Sequence, residues 1–426
     1  MNNLKVTTLS LIAIAAISFT GCGGGSSSAA APATPNCDSS YTVLPSNIDA
    51  NLTLDSTKVY GLDGKVKVTN NAVLTIPAGT TIAGCTAASF MVITPGSQII
   101  ADGNLTNPIV FTSQKDQLGN SSNNSAGEWG GLVLAGNAYT HYSNNTYEAD
   151  PTVAYGSSIH TNDTESSGTL NYVLIKHSGY EVEKDKELNG LSLAGVGSGT
   201  TLTNIAIIGG LDDGLEIWGG TPNITGLYVY NAQDDSVDTD LGYRGTITNV
   251  LVKQVNVDKV NAYDSSTMEF GNDNNTILTD DTNATQPTII NFTGYIKGGG
   301  FYNKYDAGFR WNNVQFISSK TADQFQVVFR GVDSATTGAK HVDGNVSFYN
   351  TAATLSNTDG TTSTDIYSLA NTKDTNTTNN AYTYFTGTTA TDVNVTGNLL
   401  LDDNTSGVDE TIIWKGTAGS NVALEN

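Results

Sequence analysis

Two acidic clusters recur along this chain with the same internal spacing. Asp212-Asp213 is followed by Glu216, and Asp234-Asp235 by Asp238 and Asp240. Carboxylates gathered in this way can hold a hard cation, share a proton, or work as a pair on a glycosidic bond. Calcium suits them best, since it takes roughly six to eight oxygens in a flexible shell. The candidate ligand set is Asp212, Asp213, Glu216, Asp234, Asp235, Asp238 and Asp240. A plainer reading competes with it. Asp and Asn side chains bond to nearby backbone and close turns.

The clusters sit inside a repeat about as long as one β-helix coil. Leu202 to Glu216 is followed by Ile224 to Asp238, then by a weaker copy from Ile247 to Asn261, and a fainter one begins at Leu170. Alternation of apolar and polar residues between Gly, Asn and Asp turns marks each segment as strand. Aligning the copies on Leu202, Ile224 and Ile247 points Ile205, Ile207, Leu227, Val229, Val250 and Val252 inward. On the next strand Leu215, Val237 and Val260 point inward. Three columns follow: Asp213, Asp235 and Asp258; Glu216, Asp238 and Asn261; Trp218, Asp240 and Tyr263. A one-residue slip would invert the faces. Stacked carboxylates about 5 Å apart repel by roughly 3 kcal/mol per pair at an effective dielectric of about 20. Water, a proton or an intervening cation must relieve them.

Aromatic residues lie in the same repeat. Trp218, Tyr228, Tyr230 and Tyr263 are candidates for stacking on sugar rings. They are equally good strand formers at solvent-facing positions. His177 is a lone histidine at a strand end and reads as structural.

Composition supports an all-β chain. Only 14% of residues are charged, the formal net charge is -22, and Thr, Asn, Ser, Gly, Val, Ile and Tyr dominate. That acidity argues against nucleic acid as a partner. Residues 114–128 and 138–168 read as polar loops, and Glu181 to Glu187 as a charged insertion. Such loops often border a binding surface. The repeat is clearest over 170–265, and the C-terminal third is less regular. We read 41–426 as one domain, with a sub-boundary near 290 as the alternative.

The N-terminal segment reads as a targeting signal. Lys5 precedes an apolar run from Leu9 to Phe19, too short to span a membrane. Phe19-Thr-Gly-Cys22 resembles a bacterial lipobox, which implies cleavage before Cys22 and a diacylglycerol on its thiol. An ordinary signal peptide is the rival. Residues 22–40 then form a Gly/Ser/Ala tether. Gly23 after the cysteine resembles an outer-membrane address. The expectation is an exported, outer-membrane lipoprotein, facing the periplasm or the surface. Cys37 and Cys85 remain as an even pair in an oxidising compartment, which points to a disulfide.

Several blocks resemble a family of bacterial secreted proteins and lipoproteins with a right-handed parallel β-helix of pectate-lyase-like architecture. They are Thr75-Ile-Pro-Ala-Gly-Thr-Thr-Ile82, Pro108-Ile-Val-Phe-Thr-Ser113, Glu128-Trp-Gly-Gly-Leu-Val-Leu-Ala-Gly-Asn137, Leu188-Asn-Gly-Leu-Ser-Leu-Ala-Gly-Val-Gly-Ser-Gly199 and Asp212-Asp-Gly-Leu-Glu-Ile-Trp-Gly-Gly220. The resemblance covers roughly residues 45–270 and implies the fold without settling an activity. Hydrolases of this shape carry an Asp-Asp pair with Gly-His-Gly and Arg-x-Lys motifs, and neither motif occurs here. Lyases of this shape use calcium with an Arg or Lys base. The residues an enzyme would use are Asp213, Asp235, Asp238 and Arg244. The leading expectation is a non-catalytic surface lipoprotein that binds polysaccharide or another surface ligand with structural calcium. A polysaccharide lyase or glycoside hydrolase is the first alternative, and a structural stalk or adhesin the second.

Overall fold

The computed structural model describes residues 36–143, 145–184, 186–257, 265–272, 283–304 and 307–318. Beyond these it describes the strands Val327–Arg330, Val342–Asn350, Leu355–Ser356, Thr362–Ser363, Ile413–Lys415 and Asn421–Ala423. The leader, the tether, Cys22, Asp258, Val260, Asn261 and Tyr263 lie outside the described residues.

From Gly168 onward each coil contributes one strand to each of two long parallel sheets; before it, Leu52–Thr53, Val73–Pro77 and Gln98–Asp102 form a separate run that joins the first sheet at Gly168–Lys176. Thr201–Gly210, Asn223–Ala232, Thr246–Lys253, Thr288–Ile296 and Phe309–Ser318 lie side by side in a 14-stranded sheet. Leu191–Ala194, Leu215–Trp218, Val237–Asp240, Ser266–Gly271 and Gly299–Lys304 lie side by side in a 10-stranded one. The fold is a right-handed parallel β-helix. Its only helix among the described residues is the single turn Gln114–Gln117.

Apolar columns hold the coils together. Leu202, Ile224 and Ile247 are in register, as are Ile205, Leu227 and Val250, and Ile207, Val229 and Val252. All nine are buried in one continuous core with Leu215, Ile217, Met268, Phe270 and Phe301 from the second sheet. Each fully buried aliphatic side chain contributes about 1.5–3 kcal/mol. The inward positions in the first sheet skip from 202 to 205 because the backbone kinks between them. Tyr172, Asn204, Asn249 and Asn291 adopt left-handed φ values of 47°, 52°, 58° and 55° at this corner, with Gly226 at 79°. Asn tolerates that conformation because its short amide bonds locally. Asn291 Nδ2 donates to Asn249 Oδ1 at 3.0 Å, and Asn204 Nδ2 to Asn171 Oδ1 at 3.1 Å.

One feature departs from the sequence-based alignment. The third copy of the repeat has a longer turn, so its second strand begins only at Ser266. Met268, and not Val260, therefore follows Val237, and Glu269, and not Asn261, follows Asp238. Near residue 290 the sheet runs on without a break, since Thr288–Ile296 pairs with Thr246–Lys253 on one side and Phe309–Ser318 on the other.

Two additions decorate the coils. A disulfide joins Cys37 to Cys85 across Gly61. A Cβ at Gly61 would lie 2.6 Å from Cys37 Sγ, so only glycine fits beneath the bridge. The strands Asn145–Tyr147 and Asp150–Tyr155 form an antiparallel hairpin over the second sheet. Asp150 Oδ2 clamps the hairpin to the body, 2.8 Å from Lys65 Nζ and 3.5 Å from Lys67 Nζ.

The core register has a direct test. Val229→Asp places an unpaired charge in the aliphatic stack and should cost at least about 3 kcal/mol in denaturant unfolding. Thr225→Ala, at an exposed position four residues earlier, should stay within about 0.5 kcal/mol. Equal costs would contradict the inward assignment.

Candidate functional site

The outward face of the second sheet carries the acids. Parallel register lines up Ser192, Glu216, Asp238, Glu269 and Tyr302, one residue per coil. Asp212-Asp213 and Asp234-Asp235 occupy the turns that precede two of these strands. Glu148, in the turn of the hairpin, and Glu187, at the end of the charged insertion, complete a cleft of about 440 Å³. Nine carboxylates line it together with Tyr302 and Lys304.

Four of these acids are buried and the other five are half-buried. Asp213, Asp235, Asp238 and Glu269 are only 6%, 5%, 7% and 4% exposed. The hairpin and insertion wall the cleft on one side, where Glu148 and Glu187 line it. Tyr147 and Tyr155 pack on Trp218 with ring centroids 5.6 and 6.4 Å away, and Val153 and Leu188 belong to the same apolar cluster.

Hydrogen bonds satisfy part of the acidic array. Asp213 Oδ1 accepts from the Asp235 amide at 2.8 Å. Asp235 Oδ1 accepts from the Ser266 amide and hydroxyl at 2.6 and 2.5 Å. Asn189 Nδ2 donates to Glu216 Oε2 at 2.6 Å. Lys304 forms an ion pair with Glu269. Asp238 Oδ1 is buried and has no hydrogen-bond partner.

Burial sets the electrostatics. It pushes Asp212, Asp213, Glu216, Asp235, Asp238 and Glu269 well above the usual carboxylate range, and neighbouring acids push them further. Burial first, and then Glu187, raises Glu148 to about 7. For Lys304 burial works the other way. Asp238 and Glu269 outweigh it and hold the ammonium charged well above its ordinary range. The carboxylates cannot all be ionised without a counter-charge. Three sets have oxygens within 4.8 Å of one another: Asp212, Asp213 and Asp234; Asp213, Glu216 and Asp238; Asp235, Asp238 and Glu269. Calcium–oxygen distances of about 2.3–2.6 Å fit an ion among such oxygens.

Six of the seven acids expected as ligands line the cleft. Asp240 does not line it; its Oδ1 accepts from the Leu241 amide at 2.6 Å. The aromatic stacking surface is corrected. Tyr228 and Tyr230 are 2% and 1% exposed, packed with Leu174, Ala206, Ile208 and Leu251 on the outer face of the first sheet. Large apolar residues repeated on successive coils bury one another there. Trp218 is half-buried under the hairpin and serves as wall. Arg244 is also corrected as a partner of the acids. Its Nη1 donates to the Ala284 carbonyl at 3.2 Å and its Nη2 to Gln286 Oε1 at 2.8 Å, and it does not line the cleft.

The cation in the cleft is Lys304, which the sequence reading missed along with Glu148, Glu187, Glu269 and Tyr302. Glu269, Tyr302 and Lys304 were findable, since they alternate outward on strands whose register the longer turn concealed. Glu148 and Glu187 reach the cleft through loop folding, which no local pattern signals. His177 stands apart, with Nδ1 2.9 Å from the Ser125 carbonyl and Nε2 3.4 Å from Asp116 Oδ1.

Residues 46–399 match the family model of the pectate-lyase-like beta helix domain, and the chain belongs to that family. No curated protein and no solved structure matches it.

The raised acids fix the sign of a pH response. A carboxylate with a raised folded-state pKa favours the fold while protonated. For Glu148 that contribution is complete below its ordinary 4.5 and is lost as pH rises through about 7. In chelator, the melting temperature should fall across this window. Glu148→Gln should flatten the fall, as read by calorimetry at constant ionic strength. An unchanged slope in the variant would contradict the burial of Glu148.

Proposed function

With family membership as the premise, we propose that this protein binds polysaccharide at the acidic cleft, with calcium held by the cleft carboxylates. A pectate-lyase-like β-helix domain fits a polysaccharide-related role. The observation that carries the reading is nine buried or half-buried carboxylates facing one lysine among the described residues. Such a cleft repels an acidic sugar when bare. Calcium, when bound, would neutralise it and offer open coordination positions to sugar oxygens. Asp212, Asp213, Glu216, Asp234, Asp235 and Asp238 would hold calcium.

The same proposal places the protein at the outer membrane, tethered by a lipid on Cys22. Support comes from the lipobox-like Phe19-Thr-Gly-Cys22 and the Gly/Ser/Ala run behind it. One observation favours the enzymatic alternative. Glu148 is held near neutrality at the cleft, where a group of that pKa can carry a proton in either direction. Lys304 is a poor candidate base, because Asp238 and Glu269 keep it protonated.

Two measurements test this reading. Purified protein should be retained on an acidic polysaccharide such as polygalacturonate or alginate with calcium and released by chelator. Asp238→Asn should weaken retention at least about tenfold. Failure to bind any acidic or neutral polysaccharide with calcium present would overturn it. Cleavage that disappears in Asp238→Asn would move the assignment to the enzyme. Cys22→Ser should shift the protein out of the membrane fraction, and a normally processed variant that stays there would refute the anchor.

A further inference from the structure

We propose that the cleft is a two-cation centre in which Lys304 serves as a built-in third cation. The inference rests on the cation reading of the cleft and specifies its number of ions. Three sets of carboxylates overlap, two between the coils of Glu216 and Asp238 and one between the coils of Asp238 and Glu269. Asp213 belongs to the first and second sets, and Asp238 to the second and third. A carboxylate has two oxygens, so each shared residue can bridge neighbouring positions and place negative charge between two cations. The third position, among Asp235, Asp238 and Glu269, is the one Lys304 serves through its ion pair with Glu269.

The chain makes room for that lysine. Gly271 is the register partner of Lys304 on the neighbouring strand. A Cβ there would lie 2.8 Å from Lys304 Cε and 3.1 Å from its Cγ, so the bare glycine lets the lysine stem lie across the strand toward Glu269. A second observation points to ligands at the remaining positions. Asp238 is 7% exposed and lines the cleft, yet its Oδ1 has no hydrogen-bond donor. Leaving a buried carboxylate oxygen bare costs several kcal/mol unless something neutralises it. Lys304 balances one of nine carboxylates, and two divalent ions would balance four more. A tethered ammonium cannot dissociate, so one position stays neutralised whatever the calcium supply. The other two respond to it.

Calcium counting on the full chain tests this, by equilibrium dialysis at neutral pH and saturating free calcium. The wild type should hold two ions. Lys304→Met should hold three, because the third set of acids becomes available. Asp213→Asn keeps an acceptor for the Asp235 amide but loses the bridging charge, and should hold at most one. In the wild type, terbium loaded with europium should show energy transfer, as ions sharing one carboxylate must. This readout needs no variant to fold. No bound ion would overturn the cation reading itself, and binding of spermidine in its place would assign the cleft to organic ammonium ligands. One ion in the wild type, no gain in a folded Lys304→Met, no loss in Asp213→Asn, or no energy transfer would overturn the two-ion centre and leave the cation reading standing.

Discussion

Parallel stacking forces equivalent side chains into columns about 4.8 Å apart, and the rest of this protein is arranged around that constraint. Inward, the columns are favourable, because Ile205, Leu227 and Val250 gain from contact with one another. Outward, the same geometry turns Glu216, Asp238 and Glu269 into a ladder of like charges. On an open surface water would screen that ladder. Here Asp238 and Glu269 are buried in a cleft bordered by the hairpin and the charged insertion, and burial magnifies each repulsion. A fold that stacks acids and then desolvates them must supply protons or cations. That requirement links the core register to the chemistry of the cleft.

The cover is as much part of the site as the acids. Tyr147 and Tyr155 need Trp218 beneath them, and Asp150 needs Lys65 and Lys67, for the hairpin to sit where it does. Once seated, it carries Glu148 into the cleft. The apolar wall and one acid of the cleft are therefore set by one loop. The long side chains of the second sheet also divide their labour. Trp218 anchors the cover, while Lys304 crosses Gly271 to offset acids.

Much of this was legible in the repeat. The alignment of Leu202, Ile224 and Ile247 is the register of the sheet, and Glu216 beside Asp238 follows from it. The alignment failed at one place for one reason. A turn of different length costs a β-helix little, so the third coil could lengthen its corner and delay the next strand to Ser266. Period-two reasoning has no means of detecting that delay, and it put Asn261 where Glu269 stands. Tyr228 and Tyr230 show a different limit. Alternation says that they face out of the first sheet, and they do. Whether that face meets water depends on what packs over it, and here it is buried.

By itself, the sequence determined the class of fold, the inward columns and the presence of two acidic clusters at equal spacing, because these depend on short-range alternation and on repeat length. Only the tertiary structure decided that the clusters become one cleft, that Asp240 and Arg244 lie outside it, and that Glu148, Glu187, Glu269, Tyr302 and Lys304 lie within it. The physical reason is that burial and charge pairing are properties of residues brought together from distant loops and coils. Glu148 and Lys304 lie far apart in sequence, and share a cavity only after the coils have stacked and the hairpin has brought Glu148 to the cleft.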